Sequence, residues 1–145
     1  PHTIQTRGFA QRTAIAYDQI PAREWGRSCR LASMPGGPAE SNVIFHQVAT
    51  ERGCQSYLVG CPQTCVAVVI DPEIHEIERY RGLAAQSGLR IRYLLDTHTH
   101  ADHFSAADEL SAALHAPVIM HRDSPSPYVG MAVDDGEIVK LGNLA

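Results

Sequence analysis

The stretch that decides the fold is Asp96-Thr97-His98-Thr99-His100-Ala101-Asp102-His103. Three histidines fall within six residues, with an aspartate between the last two. Just before them, Ile91-Arg92-Tyr93-Leu94-Leu95 reads as a buried strand. Just after them, Phe104, Ala107, Leu110 and Leu114 recur at helical spacing. The spacing therefore places the cluster where a strand ends and a helix begins. In an open α/β sheet, ligands bind at that edge, outside the carboxyl ends of the strands.

Imidazole nitrogens and carboxylate oxygens are ligands for zinc, iron and manganese. Alternate residues in a loop leaving a strand can point the same way, so His98 and His100 are candidates to hold one metal ion. Asp102 and His103 follow one turn later, at the helix start, and are candidates for a second. Asp102 also suits a plain helix cap, because the macrodipole favours an acid at a helix N-terminus.

Upstream of this stretch the pattern is regular from Val43 onward. Val43-Ile44-Phe45-His46-Gln47-Val48, Gln55 to Cys61 and Cys65 to Asp71 read as three strands, the last two joined by a turn at Pro62-Gln63-Thr64. His46, alone in a strand, is a packing or edge residue. Asp71-Pro72-Glu73 predicts a helix start, with Asp71 as N-cap and Pro72 at the first helical position. Asp71 also ends a strand on the same edge as the histidine loop, which puts a hydrogen bond to that loop within its reach. The helix that follows carries Ile74, Ile77, Tyr80 and Ala84 on one face, and Gly88 ends it with a left-handed cap.

Downstream, Pro117-Val118-Ile119-Met120 predicts another strand, and His121 leaves its carboxyl end at the border of the expected pocket. His115 closes the preceding helix, where a histidine can meet the terminal carbonyls. Ser124 to Pro127 reads as irregular loop, Asp134-Asp135-Gly136 as a turn, and Glu137 to Leu141 as a final strand.

Residues 1–42 form a separate expectation: a leader, or the tail of an upstream segment. Their first part holds Arg7 and Arg12 and no acid before Tyr17, a faint likeness to a mitochondrial transit peptide. A cytoplasmic or mitochondrial location fits this reading. No apolar run reaches transmembrane length. A chain of 145 residues is at most one ordinary domain. Its net charge of −4 argues against a nucleic-acid partner, and 44% hydrophobic residues is the composition of a globular protein rather than a disordered one. Cys29, Cys54, Cys61 and Cys65 lack paired C-x-x-C zinc spacing and are expected as thiols.

The motif His98-Thr99-His100-Ala101-Asp102-His103 resembles the H-x-H-x-D-H signature of the metallo-β-lactamase fold superfamily. Gly53 to Cys61, Val68 to Pro72 and Thr97 to Ala107 are similar to its persulfide dioxygenase branch, and the resemblance runs over residues 43–144. The sister branch, glyoxalase II, usually has His where Thr99 stands and Gly-Gly shortly after the motif. The resemblance implies an α/β protein, a four-layer αββα sandwich of two similar halves, of which residues 43–145 correspond to the first. It implies metal ligands among His98, His100, Asp102 and His103, a catalytic role for Asp102, and Fe2+ as cofactor with Zn2+ as the alternative. In the dioxygenase pattern only the first histidine, His98, is an iron ligand, and the remaining ligands come from a later His and Asp. The expected substrate is glutathione persulfide or another small thiol derivative, oxidised to sulfite by O2. Neither a nucleic acid nor a membrane is an expected partner, and a homodimer is compatible with the reading. Two alternatives remain: a dinuclear zinc thioester hydrolase of the glyoxalase II type, and an inactive half-domain. These residues by themselves are expected to be inactive.

Overall fold

A computed structural model describes residues 43–50, 53–101 and 103–144. The readings of residues 1–42 and of Asp102 lie outside the described residues. The described elements run in the order β1 (Ile44–Ala49), β2 (Gln55–Cys61), β3 (Val66–Ile70), a 3₁₀ turn (Ile74–Glu76), α1 (Ile77–Gln86), β4 (Arg90–Leu95), α2 (Ala107–Leu114), β5 (Val118–His121) and β6 (Val129–Val133).

The strands form one sheet in sequence order, β1-β2-β3-β4-β5-β6. The first three are antiparallel and the last four parallel. The change follows from the connections. A four-residue turn after Cys61 reverses the chain from β2 into β3, whereas the crossovers through α1 and α2 return it in the same direction.

Alternation along the strands separates two faces. Ser56, Leu58 and Gly60 of β2, Val48 of β1, Ala67 and Val69 of β3, Ile91 and Leu94 of β4, and Val118 and Met120 of β5 turn toward the helices. They meet Tyr80 and Ala84 of α1 and Ala107 and Leu110 of α2 in a single core. Full burial of a Leu or Val side chain contributes about 1.5–3 kcal/mol, so this face holds most of the fold's hydrophobic stabilisation. A Cβ at Gly60 would run into the Leu89 side chain, so a larger residue there requires Leu89 to move.

Tyr80 anchors α1 by more than its ring. Its hydroxyl lies 2.6 Å from Ser56 Oγ and accepts the Glu73 backbone N–H at 2.9 Å. One buried side chain thus ties α1 to β2 and to the segment leaving β3. Burial raises the Tyr80 phenol above its ordinary range, against the Ser56 and Glu73 hydrogen bonds.

Three local expectations are corrected. Asp71 is not an N-cap: its φ is +49°, and Glu73 caps the 3₁₀ turn by accepting the His75 N–H at 3.0 Å. Phe104 is not on the buried face of α2, which begins at Ala107; it is 81% exposed. Residues 137–141 do not form a strand. Leu141 makes only an isolated bridge to Leu144, and the sixth strand is instead Val129–Val133, paired with β5. Gly130 and Ala132 put small residues on alternate positions there, which hides the strand in the sequence. Gly88 does take the left-handed conformation, with φ +65°, and His115 takes it at the end of α2, with φ +54°. Cys54 and Cys61 carry thiols, as expected, whereas Cys65 is disulfide-bonded, against the expectation; the reading of Cys29 lies outside the described residues.

Candidate metal centre

Three adjacent parallel strands end in step and deliver the site. Ile70 of β3 pairs with Leu95 of β4, and Leu95 with Ile119 of β5. The Asp71 N–H continues the ladder to the Leu95 carbonyl at 2.8 Å, and the Asp96 N–H to the Ile119 carbonyl at 3.1 Å. Asp71, the histidine loop and His121 therefore leave one edge of the sheet side by side.

Asp71 grips the loop. Its carboxylate accepts the Thr97 N–H at 2.7 Å and the Thr97 hydroxyl at 2.8 and 3.0 Å. A positive φ is unusual for a residue with a side chain, though Asp tolerates it better than most. Here it turns the carboxylate back over the end of β4. The Thr97 hydroxyl also lies 2.8 Å from His98 Nδ1, so the grip on Thr97 reaches the first histidine ring.

Asp96 holds the far side of the loop. It is 2% exposed, and its carboxylate accepts the Ser105 hydroxyl at 2.9 and 3.0 Å and the Tyr128 hydroxyl at 3.2 Å. Ser105 Oγ in turn accepts the N–H of Ala107, the first residue of α2, at 3.1 Å. The Ala106 N–H donates to the Pro72 carbonyl at 2.7 Å, and the Ile74 N–H to the Phe104 carbonyl at 3.1 Å. Burial raises the Asp96 carboxyl above its ordinary range, while the Ser105 hydrogen bond and the nearby His100 pull it down.

Between these anchors the imidazoles form a row. The His98 and His100 ring centroids are 4.3 Å apart, as are those of His100 and His103. The His100 side chain is 4% exposed, with Nε2 3.4 Å from Asp71 Oδ1 and 3.7 Å from Asp96 Oδ1. Neither His100 ring nitrogen meets hydrogen-bond geometry with a partner among the described residues. The close carboxylates supply charge but no well-directed hydrogen bond. An unsatisfied buried polar group costs about 1–3 kcal/mol, and a cation bound by the imidazole removes that cost. Asp71, His98 and His100 offer one ligand atom each within 4.8 Å of one another. An imidazole pair with a carboxylate suits iron, zinc or manganese, so the residues present fit a divalent metal ion.

The sequence-derived candidates separate accordingly. His98 and His100 come together as expected. His103 joins the row from its other side, with Nδ1 3.4 Å from Cys54 Sγ. The proposed role of Asp102 falls on a residue outside the described residues. Asp71 was expected to hydrogen-bond the loop and does so; its place in the ligand group was missed, although a strand-ending Asp on the same edge was the available signal. Asp96 has no role assigned by the sequence beyond heading the motif stretch; of its contacts, Ser105 and His100 are near in sequence and Tyr128 is 32 positions away. His121 does border a pocket: a cavity of about 230 Å³ is lined by Thr97, His98, Thr99, Met120, His121, Asp123 and Ser124.

Comparison with known proteins agrees with this geometry. The family profile described as Metallo-beta-lactamase superfamily matches residues 49–135. Persulfide dioxygenase ETHE1, mitochondrial, of Bos taurus is 28% identical over 117 residues, covering 80% of this chain and 45% of the relative. A hydroxyacylglutathione hydrolase of Polaromonas is 34% identical over 89 residues, covering 60% of this chain and 33% of the relative. The crystal structure of ETHE1 from Myxococcus xanthus superimposes with a TM-score of 0.65 at 31% identity, over 69% of this chain and 44% of that one. The chain thus spans less than half the length of these relatives.

Proposed function

The chain belongs to the metallo-beta-lactamase superfamily, and from that premise we propose that it serves a metal-dependent persulfide dioxygenase. In this reading glutathione persulfide, dioxygen and water are converted to glutathione, sulfite and two protons. The observation that carries the metal is the buried His100 ring, with both nitrogens unsatisfied, between His98 and His103. In the dioxygenase pattern His98 would be this chain's ligand to the ion; His100 and the Asp71 carboxylate lie within ligand distance of it and, with His103 and Asp102, are the further candidates that the zinc reading would use. When bound, a ferrous ion supplies a redox-active centre with open positions for a thiolate and O2.

The chain's own residues hold the site in shape. Asp71 fixes the Thr97 backbone and hydroxyl, and through Thr97 the His98 ring. Asp96, Ser105 and Tyr128 lock the loop to α2 and to the entry of β6. The cavity beside His98, walled by Met120, His121 and Asp123, is where a small thiol-derived substrate would lie against that ring.

The alignment with the bovine dioxygenase, over 80% of this chain, supports oxygenation. So does Thr99, which stands where the hydrolase branch usually has His. A second reading, zinc-dependent thioester hydrolysis, is favoured by the 34% identity to the Polaromonas hydrolase. It needs only a Lewis acid and an activated water. The two readings are separated by an oxygen electrode with glutathione persulfide and a thioester assay with S-lactoylglutathione, on iron-loaded and zinc-loaded full-length protein. Oxygen uptake by the ferrous form is expected, with little thioester cleavage. Cleavage by the zinc form without oxygen uptake by the ferrous form would replace the first reading with the second. His98→Ala is expected to abolish both metal and activity, whereas His121→Ala keeps its metal; full iron occupancy in His98→Ala would overturn the site assignment.

A further inference from the structure

The cavity beside His98 has one apolar contact in a polar setting. Of the side chains that line it, only Met120 lacks a hydroxyl, an imidazole nitrogen or a carboxylate. We propose that Met120 is the specificity-determining residue of this cavity: its thioether receives the outer sulfur of the substrate, and it admits a thiol derivative with one small group on the sulfur while excluding longer S-substituents. The proposal deepens the proposed function. It rests on the cavity being where the thiol-derived substrate lies, and not on which reaction follows.

Several interactions fix Met120 in place. It lies in β5, pairs with Ala132 of β6 and is buried. It belongs both to the helix-side core and to the cavity lining. After β5 the chain turns back on itself, and the Ser124 N–H donates to the His121 carbonyl at 2.9 Å. That turn brings the Ser124 hydroxyl to Met120 Sδ, to which it donates at 3.4 Å. The Ser126 N–H donates to the same hydroxyl oxygen at 3.3 Å. A methionine is usually an adaptable filler of irregular space. Here the hydroxyl holds its sulfur, so this wall yields less than a methionine ordinarily does.

Size and polarity set the selection. The cavity measures about 230 Å³, below the roughly 300–1,000 Å³ of pockets that enclose most of a drug-sized ligand. It therefore takes the sulfur-bearing end of a substrate and leaves the carrier at the rim, where His121 and Asp123 are exposed. A persulfide ends in a single small, polarizable sulfur, which suits contact with a thioether. An S-substituent several carbons long has to continue past Met120 and cover the polar groups beside it. Covering a polar group without giving it a hydrogen bond is unfavourable. Apolar length beyond Met120 is thus penalised rather than rewarded.

The test is the binding of S-alkylglutathiones to the zinc-loaded full-length protein, labelled with methyl-13C methionine and followed by methyl NMR. A methyl group is close in size to the outer sulfur of a persulfide, so S-methylglutathione stands in for the substrate without reacting. It is expected to shift the Met120 methyl signal saturably and to leave that of Met131, a β6 residue outside the cavity lining, in place. S-hexylglutathione is expected to bind at least about tenfold more weakly. A cavity that continued as an apolar channel would instead gain about fourfold in affinity per added methylene. Met120→Ile identifies the signal: it keeps a hydrophobic side chain of similar volume in the strand while removing the thioether tip. This variant is expected to lose most of the difference between the two ligands. Calorimetry of the same ligands on the unmodified protein needs no variant. Tighter binding as the S-alkyl chain lengthens, a Met120 signal indifferent to S-methylglutathione, or an unchanged difference in Met120→Ile each overturns the assignment. Failure of oxygen uptake with persulfide removes the dioxygenase reading and leaves this selection standing, so the two fail separately.

Discussion

The two faces of the sheet are cut from the same strands by the same alternation, yet they are buried differently. On the helix side Leu58, Ala67, Val69, Leu94 and Val118 are all at 0% exposure. On the other side Tyr57, Val59, Val68, Tyr93 and Leu95 remain partly exposed, and Phe45 is 58% exposed. Phe45 and Tyr57 stack with centroids 5.5 Å apart, but much of their area still meets solvent. A small cluster of Cys61, Val66 and Leu141 closes only one corner. The difference teaches that strand alternation creates two apolar surfaces, while the helices decide which becomes the core. The candidate metal site sits on the rim between them, held from the helix side by Ser105 and from the strand ends by Asp71 and Asp96.

The comparison breaks first, and most severely, in the helix-side core. Leu58→Ala is expected to cost about 2–5 kcal/mol in urea unfolding, because the cavity it leaves is enclosed by β strands and α1. A loss under about 1 kcal/mol would mean that this face collapses freely and is not the rigid one. Tyr80→Phe ranks next. It keeps the ring but strips the Ser56 hydroxyl and the Glu73 N–H of a partner. About 1–3 kcal/mol should be lost, and an equal loss in the Ser56→Ala, Tyr80→Phe pair would show that the two act as one unit.

Smaller effects sharpen the contrast from the other side. Val68→Thr, at a half-exposed position of the open face, should shift stability by less than about 1 kcal/mol. A loss comparable to that of Leu58→Ala would show the two faces to be equally buried in solution. The smallest effect is expected at the exposed β5–β6 edge, where Arg122 donates two hydrogen bonds of 2.8 Å to the Asp134 carboxylate. Those bonds hold Asp134 below the usual carboxylate range. Any stability they add is therefore present above the ordinary carboxylate pKa and fades as the pH falls through the lowered one. Such solvated pairs contribute little, so Asp134→Asn should leave the thermal midpoint at neutral pH within measurement error. A midpoint difference that grows as the pH falls from neutral would contradict the sign.

Much of the fold was legible because its signals are local. Strand β2 was placed at its observed limits from alternation bounded by turn residues, and the buried positions Tyr80, Ala84, Ala107 and Leu110 followed from helical spacing. Strand β6 was not legible: Val129-Gly130-Met131-Ala132-Val133 carries small residues on alternate positions, and only pairing with β5 makes it a strand. Phe104 misled for the opposite reason, since it keeps the helical period but precedes the helix, where its backbone carbonyl accepts the Ile74 N–H.

The sequence by itself determined the superfamily motif, the α/β alternation, and the presence of His98, His100 and His103 at the end of a buried strand. These depend on residue types at short spacings, which a helix, a strand or a loop translates directly into direction. Only the tertiary structure decided what surrounds the row. Asp71 reaches it because β3 and β4 are parallel neighbours that end in step, Tyr128 reaches Asp96 because the chain returns to add β6, and Cys54 reaches His103 because the β1–β2 turn closes on the same edge. The Asp71 contact is foreshadowed in the sequence by a strand end on the same edge; the Tyr128 and Cys54 contacts are not encoded by spacing along the chain. Each requires the sheet to form first, because only pairing between strands brings groups so distant in sequence within a few ångströms of each other.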